Sequence, residues 1–373
     1  MKLTLLAVLS FFTCMIAVSS LRLLAPRVGL MDHPGGRKDH AASTPLVGGL
    51  AIFLTLSTSL IFHGWTPWHA GFLVGISIIV ACGAQDDRHE ISSVLRLVFQ
   101  VLAGLVMVKF AGVRLGTVGD LVGTGPIGLW VFVVPMTVFA VCGVINAFNM
   151  VDGTDGACGT LAFIAFGLYA WVALQSGLNT QAAVLVVFAG AVLGFLLFNL
   201  RFPWQPRARV FLGDAGSTLI GFALGWFAID LTQGTGRTFP PIAALWVVVI
   251  PLCDTVSLMV RRLAAGRSPF SADRQHLHHL LLNLGLSPGQ VTLVFAGLGL
   301  VTGLIGVGGW QLDVPEPVLF GLFVGLFVVY HLFMRVYWAR HARLTSVRPA
   351  NDSTFADGGN HSVGKSSSLR QKP

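Results

Sequence analysis

The chain has 373 residues, 54% of them hydrophobic and only 11% charged, with 24 Lys plus Arg against 16 Asp plus Glu. A soluble domain carries about 25% charged residues, so a mean hydropathy of +0.77 leaves too little polar surface to coat a water-soluble particle. This excludes a cytosolic globular protein, a disordered chain and a nucleic-acid binder inferred from the pI of 9.7 alone, and leaves an all-α polytopic membrane protein, in which 44 Gly and 27 Phe serve helix packing.

A span needs about 20 predominantly apolar residues. Eleven segments qualify, at approximately 3–21, 46–62, 70–85, 94–111, 127–148, 159–175, 181–199, 216–232, 240–260, 290–309 and 317–338. The first is read as a retained helix and not a signal peptide, because its apolar run is long and no clear small-x-small site precedes Arg22. Pro251 predicts a kink in the ninth, and Gly297, Gly299, Gly303 and Gly306 predict close packing in the tenth. The loops after segments 1, 3, 5, 7 and 9, with the C-terminus, hold 20 of the 24 Lys and Arg and 12 of the 16 acids. The bias of basic residues predicts an N-terminus outside and a C-terminus in the cytoplasm. The outer loops are plain, except that residues 112–125 suggest a small hairpin. A transmembrane domain over 1–340 is followed by a Ser, Asn and Gly-rich tail, 345–373, with the composition of a disordered end. Cys14, Cys82, Cys142, Cys158 and Cys253 have no metal-ligand spacing and read as structural thiols.

The chemistry lies in the inner loops. The first, Asp32 to His40, presents Arg37 and Lys38 beside the membrane, with Pro45 and Gly48-Gly49 leading into the second span. The second ends in Asp86-Asp87-Arg88; adjacent carboxylates repel unless a cation neutralises them, so a divalent ion or Arg88 is their expected partner. In the third, Asn146, Asn149 and Asp152 are spaced three apart and share a helix face, followed by Gly153, Asp155 and Gly156, where glycines admit a closely approaching ligand. The fourth, Phe211-Leu212-Gly213-Asp214, opens the eighth span, where Asp214 either caps the helix or holds a metal against a phosphate, rimmed by Arg201, Arg207 and Arg209. Asp254 lies inside the ninth span, as a functional carboxylate or as a structural hydrogen-bond acceptor. The last loop, Arg267 to His279, groups Arg274, His276, His278 and His279 as cationic or donor groups for a phosphate or sugar.

These motifs resemble those of the polyprenyl-phosphate N-acetylhexosamine-1-phosphate transferase superfamily, and within it the bacterial WecA-type UDP-GlcNAc:undecaprenyl-phosphate transferases. The resemblance covers about residues 1–340, and the Ser-Pro-Phe-Ser-x-Asp-Arg-Gln-His-x-His-His run over 268–279 is its most specific part. Thr154 and Cys158 depart from the aliphatic residues usual around the Asp-Gly-x-Asp-Gly stretch. The resemblance implies transfer of GlcNAc-1-phosphate from UDP-GlcNAc to undecaprenyl phosphate at the inner face of a bacterial inner membrane, releasing UMP and initiating O-antigen or a related surface polysaccharide.

By the same resemblance, Asp214 with Asn149 is the ligand set for Mg²⁺, with Mn²⁺ as a substitute. Asp86 and Asp87 orient or deprotonate the lipid phosphate, and Asp152 and Asp155 serve nucleotide and sugar recognition. His278 and His279 join the catalytic group. Arg37, Lys38, His40, Asn146, Arg274 and His276 bind substrate, while Phe211 stacks on uracil. The bilayer is a partner, nucleic acid is not, and a homodimer is left open. A donor with another amino sugar, an intramembrane prenyltransferase and a secondary transporter are the competing readings; crowding of the polar residues on one face disfavours the last.

Overall fold

A computed structural model describes residues 2–32, 43–61, 66–234, 239–268 and 275–346, the last four without their side chains. Each of the eleven apolar segments lies on helix. In chain order the elements are α1 (Lys2–Val28), β1 (Met31–Asp32), β2 (Thr44–Pro45), α2 (Gly48–Ile61), α3 (Pro67–His89), α4 (Ser93–Phe110), α5 (Val133–Val151), α6 (Ala157–Gln175) and α7 (Asn179–Asn199). They continue with α8 (Gly213–Asp230), α9 (Pro241–Val247), α10 (Val249–Ala264), α11 (Leu277–Asn283), α12 (Pro288–Gln311) and α13 (Glu316–Ser346). Among the described residues, eight helices are long and apolar enough to cross a membrane, or nine with α9 and α10 taken as one broken span. The 14 residues of α2 are too short to do so alone.

Burial explains the arrangement. α8 is buried along nearly its whole length, apolar on every side, and packs between α3 and α5. Its C-terminal half is wedged by aromatic rings, with Phe72 against Trp226 at 4.9 Å between centroids. By contrast, α1, α4, α12 and α13 expose Leu, Val and Phe along one side, as lipid-facing helices do. Close helix approach is set by glycine: a Cβ at Gly190 or Gly194 of α7 would collide with the backbone of Ala7 or Phe11, so α1 is packed into the bundle. Gly299, Gly303 and Gly306 of α12 likewise meet Leu161, Leu168 and Ala243, whereas Gly297 faces open space. All five cysteines are free and buried.

Two local expectations need correction, and two short elements were not anticipated. The break in the ninth span falls at Val248, where α9 and α10 meet at 85°. Pro251 lies in the first turn of α10, where its missing N–H breaks no helical bond. The outer hairpin closes later than expected, through Thr117 pairing with Gly128 and through the bond from Ile127 N–H to the Gly119 carbonyl. Short strands β1 and β2 pair Met31 with Pro45, and the short helix α11 was hidden in the His-rich loop. The proposed tail beyond residue 346 lies outside the described residues.

Candidate active site

The C-terminal ends of α3 and α5 and the start of α8 meet around two carboxylates. Asp87, at the end of α3, accepts hydrogen bonds from the backbone N–H groups of Asp214 (2.7 Å) and Ala215 (3.1 Å), one on each oxygen. It thereby caps α8 from a neighbouring helix, filling donors that no α8 side chain satisfies and placing negative charge at the positive end of the helix dipole. Gly213 makes this possible: its φ is +75°, and a Cβ there would lie 2.6 Å from Asp87 Oδ2. Gly83 and Gly49 bring α3 and α2 against the same turn, since their Cβ atoms would fall 2.4 Å from Ala215 Cα and 2.2 Å from Gly216 N. Asn149 Nδ2 donates to Asp214 Oδ1 (2.5 Å) and to Ser217 Oγ (3.0 Å), tying α5 to α8.

The other acids divide by role. Asp152 ends α5, is half-buried, and receives no hydrogen bond on its carboxylate among the described residues. Burial first, then the charges of Asp214, Asp87 and Asp155, hold its carboxyl well above the usual carboxylate range. Asp155 accepts from Arg201 Nε (2.6 Å) and from the Ala208 N–H (3.3 Å), anchoring the 200–212 connection. Asp86 lies beside the Asp214 carboxyl and reaches α4, pairing with Arg96 (2.9 Å) and accepting from the Ile91 N–H (2.8 Å). Its counter-ion is therefore Arg96 and not Arg88, which lies against Gly29.

The expected face of Asn146, Asn149 and Asp152 splits. Asn146 donates to Gln100 Oε1 of α4 (2.8 Å) and to the Cys142 carbonyl (2.7 Å), one turn away from the carboxylates. The glycines of this loop also serve a different end. The space over Gly153 holds the His278 ring, whose Nε2 lies 2.3 Å from where a Cβ would sit, and Leu200 fills the space over Gly156.

That contact joins the histidines to the acidic loop. Asp254, buried in α10, accepts from Tyr330 Oη (2.7 Å) and from the Leu277 N–H (3.0 Å), and pairs with His276 Nδ1 (2.8 Å). It starts α11 in place of a capping side chain and fixes the His276 ring through Nδ1, leaving Nε2 as its other ring nitrogen. The His276 and His278 rings stack at 5.6 Å, and His278 and His279 lie 4.1 Å apart. Burial, with His279 and His276 beside it, depresses His278 to about 3, so it is a neutral imidazole, which leaves it the donor role of the two expected.

Phe211 is fixed through its backbone, its N–H donating to the Pro45 carbonyl (2.9 Å) and its carbonyl accepting from the Gly48 N–H (3.0 Å). Arg37, Lys38, His40 and Arg274 lie outside the described residues. Sequence reading missed Arg96, Gln100, Tyr330 and Asn199. Asn199 receives the Gly156 N–H and donates to the Val210 carbonyl, locking two inner loops together. Only Arg96, ten residues after Asp86, left a sequence signal, as a cation facing a paired acid.

Among the described residues, no three His, Cys, Asp or Glu side chains converge closely enough to cage a metal. The donors fit Mg²⁺, which keeps its waters and takes one or two carboxylates together with substrate phosphates. The crowding of Asp152 by Asp87, Asp155 and Asp214 is the kind of charge a divalent cation relieves.

The family described as Glycosyl transferase family 4 matches residues 69–232. Similar proteins include the undecaprenyl-phosphate alpha-N-acetylglucosaminyl 1-phosphate transferase of Yersinia pestis, 38% identical over 319 residues, 85% of this chain and 87% of that protein. The protein of the same name from Escherichia coli strain K12 is 37% identical over the same shares, and that of Haemophilus influenzae 35% identical over 89% of this chain and 93% of its own. The matched stretch contains the Asp87, Asn149, Asp152 and Asp214 cluster, and the chain belongs to glycosyl transferase family 4.

Proposed function

We propose that this protein transfers GlcNAc-1-phosphate from UDP-GlcNAc to undecaprenyl phosphate at the cytoplasmic face of a bacterial inner membrane, beginning a surface polysaccharide such as O-antigen. The observation that carries the reading is the convergence of Asp87, Asn149 and Asp214 at the start of a buried helix, beside the unsatisfied carboxylate of Asp152.

In this reading a lipid phosphate oxygen attacks the β-phosphorus of the donor. A new P–O bond forms as the bond from the β-phosphorus to the bridging oxygen breaks, and UMP leaves with that oxygen. A phosphate monoester has its second pKa near about 6, so the nucleophile is already mostly dianionic at neutral pH and needs no strong base. The two backbone hydrogen bonds accepted by Asp87 favour positioning over proton abstraction.

Asp214, with Asn149, would hold Mg²⁺, which when bound neutralises phosphate charge in the transition state. Asp152 faces the nucleotide and sugar, and Asp155 holds the loop that shapes their pocket. His276, oriented by Asp254, His279, and the neutral His278 donate to the diphosphate or the amino sugar. Phe211 stacks on uracil, Asn146 supports the donor side through α5, and Asp86 braces α3 against α4. Arg37, Lys38, His40 and Arg274 are proposed phosphate contacts on sequence grounds. The test is UMP release by purified protein given UDP-GlcNAc, undecaprenyl phosphate and Mg²⁺, with UDP-GalNAc as the rival donor. Release that requires all three supports the reading; none with either donor overturns it.

A further inference from the structure

A second charged feature is formed by α1 and the 200–212 connection, from arginines to which the proposed transfer assigns no role. Arg22 of α1, with Arg207 and Arg209, lines a cleft of about 550 Å³ whose walls include Thr44, Pro45 and Trp204. Among the described residues, no acidic side chain lines it. Arg201, nearby in sequence, is paired with Asp155, whereas the side chains of Arg22, Arg207 and Arg209 have no hydrogen-bond or ion-pair partner among the described residues. Arginine does not shed its proton, so three guanidiniums around one cleft repel unless an anion sits between them. Charges that only set orientation have no need to share a cleft.

The rim identifies the class of anion. Trp204 is 75% exposed and stacks flat on Phe202, with centroids 5.1 Å apart and planes 6° from parallel. Leu23, next to Arg22, is 70% exposed. Exposed Trp and Leu beside a cationic cleft match the boundary between headgroups and acyl chains, where Trp anchors and basic pockets hold lipid headgroups. A soluble anion has no use for that apolar rim. The lining of the cleft includes none of Asp87, Asn149, Asp152 and Asp214, and its Pro45 wall is bonded to the Phe211 N–H.

We propose that this cleft binds the phosphodiester headgroup of an anionic phospholipid from the surrounding leaflet, bridging α1 to the connection that leads into α8. Guanidiniums grip phosphate oxygens in pairs, and an occupant here would brace the backbone contact that fixes Phe211.

The test uses the purified full-length protein in neutral detergent, with bound lipid counted by native mass spectrometry against phosphatidylglycerol and phosphatidylcholine. At about fivefold per arginine, the triple variant R22Q/R207Q/R209Q is expected to lose on the order of 100-fold in phosphatidylglycerol binding, and R209Q alone about fivefold. The charge-matched control R27Q/R335Q/R340Q keeps wild-type binding. Equal losses in the two triple variants would reduce the effect to general surface charge and overturn the site. R209Q, measured beside its thermal midpoint, decides the matter if the triple variant does not fold: binding unchanged there also overturns it. Displacement of phosphatidylglycerol by inorganic phosphate would reassign the cleft to a soluble anion, and displacement by undecaprenyl phosphate to the acceptor. Either result contradicts the proposal. The readout is binding, so it stands or falls independently of the transfer reaction.

Discussion

Asp87 uses both carboxylate oxygens on backbone donors of α8, so Asn in its place offers one acceptor to two N–H groups. Partners that orient a ligand are worth about 10–100-fold in metal affinity or activity. D87N is therefore expected to lower kcat by that factor and to raise the Mg²⁺ concentration for half-maximal rate. An unchanged Mg²⁺ dependence would detach Asp87 from the site. His278 makes a separate prediction. Its folded-state pKa of about 3 lies below its ordinary 6.5, so between those values the unfolded chain binds the extra proton. Stability then rises with pH across that window and is lost on acidification. The thermal midpoint of wild type should fall from pH 6.5 toward pH 4 more steeply than that of H278Q. Parallel curves would mean that His278 is not buried as a neutral ring.

Among the helices, the start of α8 is held by backbone contacts that only glycine permits. A methyl at Gly49 would meet Gly216 N at 2.2 Å, and backbone cannot move aside as a side-chain tip can. Overpacking costs about 1–3 kcal/mol, so G49A and G83A should lower the thermal midpoint in detergent and reduce transfer. G143A, on α5 with nothing within 4 Å, should do neither. Helix positions were legible in the sequence because apolar length is the dominant signal in lipid. The motif acids were legible because charge is rare in this chain. Side-chain direction was not: Asn146 and Asn149 share a spacing, yet one bonds α4 and the other α8, a difference set by tertiary neighbours. Asp254 was found as an intramembrane acid, but its partners Tyr330 and His276 lie 76 and 22 residues away, beyond any local pattern.

For the molecule as a whole, the distribution of basic residues predicts the orientation that the proposed reaction requires. Thr124 is exposed in the connection between α4 and α5, and Ser368 belongs to the tail. T124C should react with an impermeant maleimide on intact cells, and S368C only after permeabilisation; the reverse pattern would invert the protein. In the proposed orientation the carboxylate cluster lies at the inner membrane surface, where a lipid phosphate and a nucleotide can meet. The central claim is that phosphorus moves together with the sugar. UDP-GlcNAc labelled with ³²P at the β-phosphate tests this most directly, with purified protein, undecaprenyl phosphate and Mg²⁺. The account predicts label in the organic-extractable lipid, unlabelled UMP in water, and near-complete loss of lipid label in D214N. Label retained in a released UDP, or lipid labelling unaffected by D214N, would contradict it.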